Sequence, residues 1–233
     1  MTRLLTTTLL FLFAFIDYAD SQTLSGKISI RSRDNIIHKL PDSICYMMPQ
    51  FTKADIVYTS GKQFSAVVNI CNVDNSVRFI NRDGDTLLMA NANSVQYITT
   101  PEALYTRIND YFIRNIAISG KISLGIRNIF RIDVEQTELS GGGIGLPKTS
   151  TARTASNLET DYNVDKDVAR EVEWEIKSEF ILSDSQKRYP CKRSSFEKLF
   201  PSKKKEIKEY VKQNKIDFDK KEDLILLFKF CVE

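Results

Sequence analysis

The chain has 233 residues, 42% hydrophobic and 27% charged, with a formal net charge of +3. That composition excludes the disordered and fibrous classes and is ample for a hydrophobic core. With one histidine in the chain, sites built on paired histidines such as H-E-x-x-H are excluded. A Ser-His-Asp or Cys-His arrangement has only His38 to use.

Met1-Thr2-Arg3 leads into Leu4-Leu5 and then Leu9 to Ile16, one positive charge before an apolar run interrupted by Thr6, Thr7 and Thr8. The run falls short of the roughly 20 apolar residues a membrane span needs. Ala19 and Ser21 before Gln22 suit a small-residue cleavage site. Residues 1–21 are therefore expected to be a signal peptide and the mature chain to be exported. The next cysteine is Cys45, which argues against a bacterial lipoprotein anchor. In an oxidising compartment Cys45, Cys71, Cys191 and Cys231 allow three disulfide pairings, and their spacing suits neither a C-x-x-C redox site nor zinc. A Cys191–Cys231 bridge would close a loop worth about 4 kcal/mol in the chain-entropy model. The apolar setting of Cys71 and Cys231 suits buried thiols somewhat better, and the pairing stays open.

Residues 22–138 read as an antiparallel β domain. Gly26 to Ser32 alternates as a first strand, Leu40 to Ser43 breaks regular structure, and Tyr46 to Phe51 is an apolar patch in a connector. His38, with no nucleophile motif nearby, reads as a loop residue. Ala54–Thr59 and Gln63–Asn69 form a hairpin across Ser60-Gly61-Lys62. Val77–Ile80 and Thr86–Ala90 form a second one, the expected centre of the sheet, turning over Asn81-Arg82-Asp83-Gly84-Asp85 with Gly84 in the left-handed region. Asn81, Asp83 and Asp85 have a calcium-like spacing, but an EF-hand loop needs Gly and Glu where Thr86 and Ala92 stand. Val95–Thr99, Leu104-Tyr105, Tyr111–Ser119, Lys121–Ile126 and Ile129–Val134 continue as short strands. Turn signals every 8 to 12 residues or so point to a mainly β meander, sandwich or roll. A helix over 101–116, begun at Pro101-Glu102, is the competing reading, against which its β-branched and aromatic residues weigh.

Residues 139–161 form a Gly/Ser/Thr-rich stretch expected to be a flexible loop; Leu146 breaks both the P-loop and the G-x-G-x-x-G patterns. Residues 162–186 return to the β domain. There Val172, Trp174, Ile176, Phe180 and Leu182 alternate with Glu173, Glu175, Lys177 and Glu179, the period of a half-buried strand, expected at the edge of the sheet. Residues 187–233 form a basic helical segment. Lys192–Phe200 has helical spacing and stops at Pro201; Ser202 is expected to cap Lys203–Gln213; Asp219 and Glu222 imitate a capping box before the stripe Leu224, Leu227, Phe228 and Cys231. Residues 156–184 carry nine acidic and three basic side chains, whereas 187–221 carry thirteen basic and five acidic. The lysine-rich helix is thus a candidate contact for an anionic membrane surface, by a term that weakens with salt; the competing and weightier reading pairs the basic tail with the acidic strand or leaves it a plain solvated face, since isolated surface pairs contribute little. Nucleic acid is not expected, because the lysines lack interleaved stacking aromatics.

The chain sets out, in this order, Tyr46-x-x-Pro49-x-Phe51, a strand ending in Asn69, Phe79-Ile80 before the Gly84-Asp85-Thr86-Leu87 hairpin, the Gly-rich loop with Thr149-Ser150, and Phe196-x-Lys198-Leu199-Phe200-Pro201 followed by Ile216-Asp217-Phe218 and Asp223-Leu224. This pattern resembles a family of uncharacterised exported proteins from Bacteroidetes, across most of the mature chain. The chain departs from it at Ile70-Cys71 and at Gly141-Gly142-Gly143. The resemblance implies a cell-envelope location, periplasmic or outer-membrane-associated, and assigns no catalytic, cofactor or metal residue. The expected function is a non-enzymatic β-rich scaffold or binding module for a protein, glycan or membrane-surface partner. The alternative is a secreted carbohydrate-active or other hydrolase using carboxylates such as Glu173, Glu175 or Asp85.

Overall fold

The computed structural model describes residues 11–12, 23–31, 34–133, 170–184 and 186–233. The expected Gly-rich loop and most of the expected signal peptide lie outside them. The strands are β1 (Phe11–Leu12), β2 (Thr23–Ile30), β3 (Thr52–Tyr58), β4 (Gln63–Ile70), β5 (Val77–Ile80), β6 (Thr86–Leu88), β7 (Val95–Thr99), β8 (Leu104–Ile108), β9 (Tyr111–Ser119), β10 (Ile122–Asp133), β11 (Arg170–Ser183) and β12 (Arg188–Pro190). The helices are α1 (Asp42–Cys45), α2 (Arg193–Leu199), α3 (Lys204–Gln213) and α4 (Lys221–Val232). The fold is mainly antiparallel β with its longer helices at the C-terminus, as the periodicities predict.

All strands join one open sheet in the order β12-β11-β10-β9-β8-β7-β3-β4-β5-β6, with β2 beside β11 and β1 beside β9. Asn109, at φ 56°, turns β8 into β9, so 101–116 holds two strands rather than a helix. The long strands β10 and β11 pair over eleven registered positions, from Ser123 opposite Ser183 to Asp133 opposite Glu173. Side chains alternate across a strand, so Leu124, Ile126, Phe130 and Ile132 share a face with Val172, Ile176, Phe180 and Leu182. Two separate groups cover that face. Helices α2–α4 pack on one half, around Phe196, Ile207, Leu224, Leu227 and Phe228. Leu40, Ile44, Cys45, Cys71 and Val73 cover the other. Between them the stripe has a polar step: Ser178 Oγ donates to Asn128 Oδ1 at 2.9 Å, and Asn128 Nδ2 donates to Asn72 Oδ1 at 3.0 Å. Buried polar groups need such partners.

Several expectations change. The β5–β6 hairpin turns as expected, with Gly84 at φ 91° and with Asn81 Oδ1 accepting from the amides of Asp83 and Asp85 at 3.0 and 2.8 Å. It ends the sheet instead of centring it: β6 is the terminal strand, and Leu87 and Leu88 are 43% and 59% exposed. The β11 strand is internal, flanked by β10 on one side and by β2 and β12 on the other. The two expected strands Lys121–Ile126 and Ile129–Val134 are one strand, β10, over Ile122–Asp133. Asp42–Cys45 forms a helical turn where a break was expected. Ser202 lies within a 3-10 turn over Pro201–Lys203, leaving Lys203 at the α3 cap position with no side-chain capping bond. Asp219 makes no cap either; α4 begins after Lys220, and Asp223 instead accepts from the Asp217 amide at 2.8 Å. All four cysteines are free thiols, and Cys45 Sγ donates to the Ile37 carbonyl at 3.2 Å.

Candidate functional site

Helix α3, Lys-Lys-Glu-Ile-Lys-Glu-Tyr-Val-Lys-Gln, consists mostly of strong helix formers. Its apolar residues Ile207, Tyr210 and Val211 fall at helical spacing and are spent on the core. Ile207 is fully buried, and the Tyr210 ring stacks on Phe230 of α4 with centroids 4.1 Å apart. The entrance to α3 is tied down by Lys203, whose Nζ donates to the Phe230 carbonyl at 2.9 Å, a favourable place for a cation in the last turn of α4. The flank beside this apolar face is left to the solvent. Lys204, Lys208 and Lys212 follow at steps of four, stacked along one stripe, and Lys215 continues the row just past the helix at φ 50°. All four are exposed, as is Lys205. The ion pairs described in this segment close within it: Arg193 with Glu197 at 3.1 Å and Lys220 with Asp217 at 3.9 Å.

The acidic strand disposes of its charge elsewhere. Glu171 and Glu173 both hold Lys27 on β2, at 2.9 and 3.1 Å, and these two contacts, Glu171 first, lift the Lys27 ammonium above the usual lysine range. Glu175 faces Arg131 at 3.9 Å; Glu179 meets Arg127 at 3.0 Å and Lys177 at 3.5 Å. These residues occupy the sheet face opposite the one on which α2–α4 pack. Among the described residues, no ion pair joins the basic tail to β11.

Glu173 and Glu175, named above for paired-carboxylate chemistry, have side chains 61% and 41% exposed, each engaged by a cation. Asp85 lies at the opposite end of the strand order, in the β5–β6 turn. The fold does not bring it to them. His38 ends a 3-10 turn over Ile36–His38 in the connector after β2.

One cluster has no sequence signature. Tyr111 opens β9, Arg127 lies in mid-β10, and Arg188 opens β12. The guanidinium carbons of Arg127 and Arg188 lie 5.3 and 4.6 Å from the centroid of the Tyr111 ring, within cation–π range. A cleft of about 420 Å³ opens there, lined by Asn109, Arg127, Glu179, Ile181, Lys187 and Arg188 among others. Burial, and then the neighbouring Arg127 charge, lower the Arg188 pKa. The three residues come from separate segments, so no spacing along the chain announces them. Among the described residues, no helix is long and apolar enough to cross a membrane.

No protein-family pattern, no curated protein and no solved structure matches the chain.

Proposed function

We propose that the protein is an exported, non-enzymatic cell-envelope binding module that attaches through α3 to an anionic membrane surface. The observation that carries this reading is the row of Lys204, Lys208, Lys212 and Lys215, exposed together and left unneutralised by β11. Export and envelope location rest on the expected signal peptide and on the resemblance to exported Bacteroidetes proteins. Because the apolar side of α3 is already buried in its own core, the helix has no face with which to insert into a bilayer. Attachment is therefore electrostatic and peripheral. Lysines near an anionic leaflet contribute about 1 kcal/mol each, and the screening length falls from about 10 Å at 0.1 M salt to about 3 Å at 1 M. Sedimentation of the mature chain with vesicles tests the reading. Binding to vesicles rich in anionic lipid, absent with zwitterionic lipid and lost at 0.5 M or so of salt, is expected. Equal binding to both lipids, or no binding at low salt, contradicts it.

A further inference from the structure

We propose that the cleft between β9, β10 and β12 is a second site, taking a small oxyanion, a phosphate or carboxylate group, with Arg188 as its principal ligand and Lys187 and Arg127 beside it. The proposal is independent of α3, which packs on the opposite face of the sheet.

The argument starts from an imbalance of charge. Arg127, Lys187 and Arg188 line the cleft, and Glu179 is its lining carboxylate. Glu179 is already divided between Arg127 and Lys177. Asp110, in the turn beside Tyr111, acts on Arg188 only at range, a weaker influence than Arg127. Arg188 is half-buried, and among the described residues no carboxylate or carbonyl accepts a hydrogen bond from it. Its Nη1 and the Nε of Arg127 are both buried without an acceptor. Two guanidiniums brought against one ring repel each other, and half-buried donors without acceptors are costly. The fold nevertheless holds them there. The Tyr111 ring, 4.6 Å from the Arg188 guanidinium carbon, holds that group in place, and a guanidinium fork matches the paired oxygens of a carboxylate or phosphate.

The surroundings suit a small molecule bearing such a group. A cleft of about 420 Å³ lies at the low end of the range for small-ligand sites, about 300–1,000 Å³. Ile181 and Pro190 give it an apolar wall beside the cations. The anion would bridge Arg188 and Lys187, offset the repulsion from Arg127, and leave the Glu179 contacts in place.

The test follows the arginine side-chain Nε–Hε resonances of the full mature chain by NMR during titration with sodium phosphate or sodium acetate, at ionic strength held constant with sodium chloride. Saturable shifts of the Arg188 and Arg127 signals are expected with at least one probe. The stronger of the two identifies the ligand as phosphate-bearing or carboxylate-bearing. Arg188→Gln should weaken the response of Arg127 at least tenfold, Arg188→Lys should retain an intermediate response, and a Lys204→Gln, Lys208→Gln, Lys212→Gln variant should titrate like the wild type. Shifts that never saturate with either probe, or an Arg127 response unchanged in Arg188→Gln, overturn the proposal. Should Arg188→Gln fail to fold, the wild-type titration and Arg188→Lys decide: no saturable shift in the former, or a wild-type response in the latter, refutes a guanidinium-specific site.

Discussion

Along β11 each of Glu171, Glu173, Glu175 and Glu179 meets a cation on a neighbouring strand, whereas on α3 Lys204, Lys208 and Lys212 stand over solvent with one another as their nearest like neighbours. The difference follows from geometry. A strand inside a sheet has neighbours on both sides at about 5 Å, so an outward side chain finds a cross-strand partner. The outer side of a helix has neighbours only along itself, three and four residues away. On α3 Lys204, Lys208 and Lys212 are those neighbours for one another, with Glu209 three residues before Lys212 as the one acid beside the row, and each like-charge step costs a few tenths of a kcal/mol. The charges of β11 are paired within the sheet, whereas no described ion pair engages the lysine row. That asymmetry is the physical ground for assigning the row to a partner.

The comparison breaks most readily where α3 is attached. Phe228 is fully buried at the centre of the helical core and makes an edge contact with Phe200 at 6.0 Å. Phe228→Ala should cost about 3–5 kcal/mol in urea unfolding and release the lysine row from its fixed orientation. A loss below about 1 kcal/mol would mean that α2–α4 do not dock as described.

Alkaline pH probes both cores that cover β10 and β11. Burial pushes the Cys45 thiol, on one side, and the Cys231 thiol, on the other, up to about 12, against about 8.5 in an unfolded chain. A folded pKa above the unfolded value contributes stability that is complete below pH 8.5 or so and lost as pH rises through about 12. With reductant present, the thermal midpoint should therefore fall steadily from pH 8 to pH 11. A flat profile would show that the thiols are not sequestered.

Smaller effects separate the two charged surfaces directly. Glu179→Gln removes the partner of Arg127 and Lys177 and should destabilise by about 1 kcal/mol. Lys204→Gln, Lys208→Gln, Lys212→Gln relieves two like-charge steps and should leave stability unchanged or raise it by about 0.5 kcal/mol. A clear loss of stability in that triple variant would mean that the lysines serve the fold.

The sequence carries the elements that depend on local period. The alternation from Val172 to Leu182 is visible because one face of β11 is covered along its length, and the stripe of α4 is visible because Leu224, Leu227 and Phe228 all reach the same core. Strand order is nonlocal and leaves no such trace, which is why the β5–β6 hairpin, with its strong turn chemistry, reads as central and yet ends the sheet. Asn128 makes β10 look like two strands, since only its distant partners Ser178 and Asn72 allow a polar residue in that stripe. Ser202 and Asp219 have cap chemistry, but Pro201 starts a 3-10 turn that moves the first cap, and Asp223 takes the local amide at the second. The lysine row is legible from spacing alone. The Tyr111, Arg127 and Arg188 cluster is not, because three separate segments meet there.

Vesicle binding by paired charge variants tests the central claim most directly. The Lys204→Gln, Lys208→Gln, Lys212→Gln variant and a Glu173→Gln, Glu175→Gln variant would be compared with the wild type on anionic vesicles at about 0.1 M salt. At about 1 kcal/mol per lysine, the first should lose affinity on the order of 100-fold, and the second should bind as well as the wild type or better. Wild-type binding by the lysine variant, or an equal loss in both, would contradict the account.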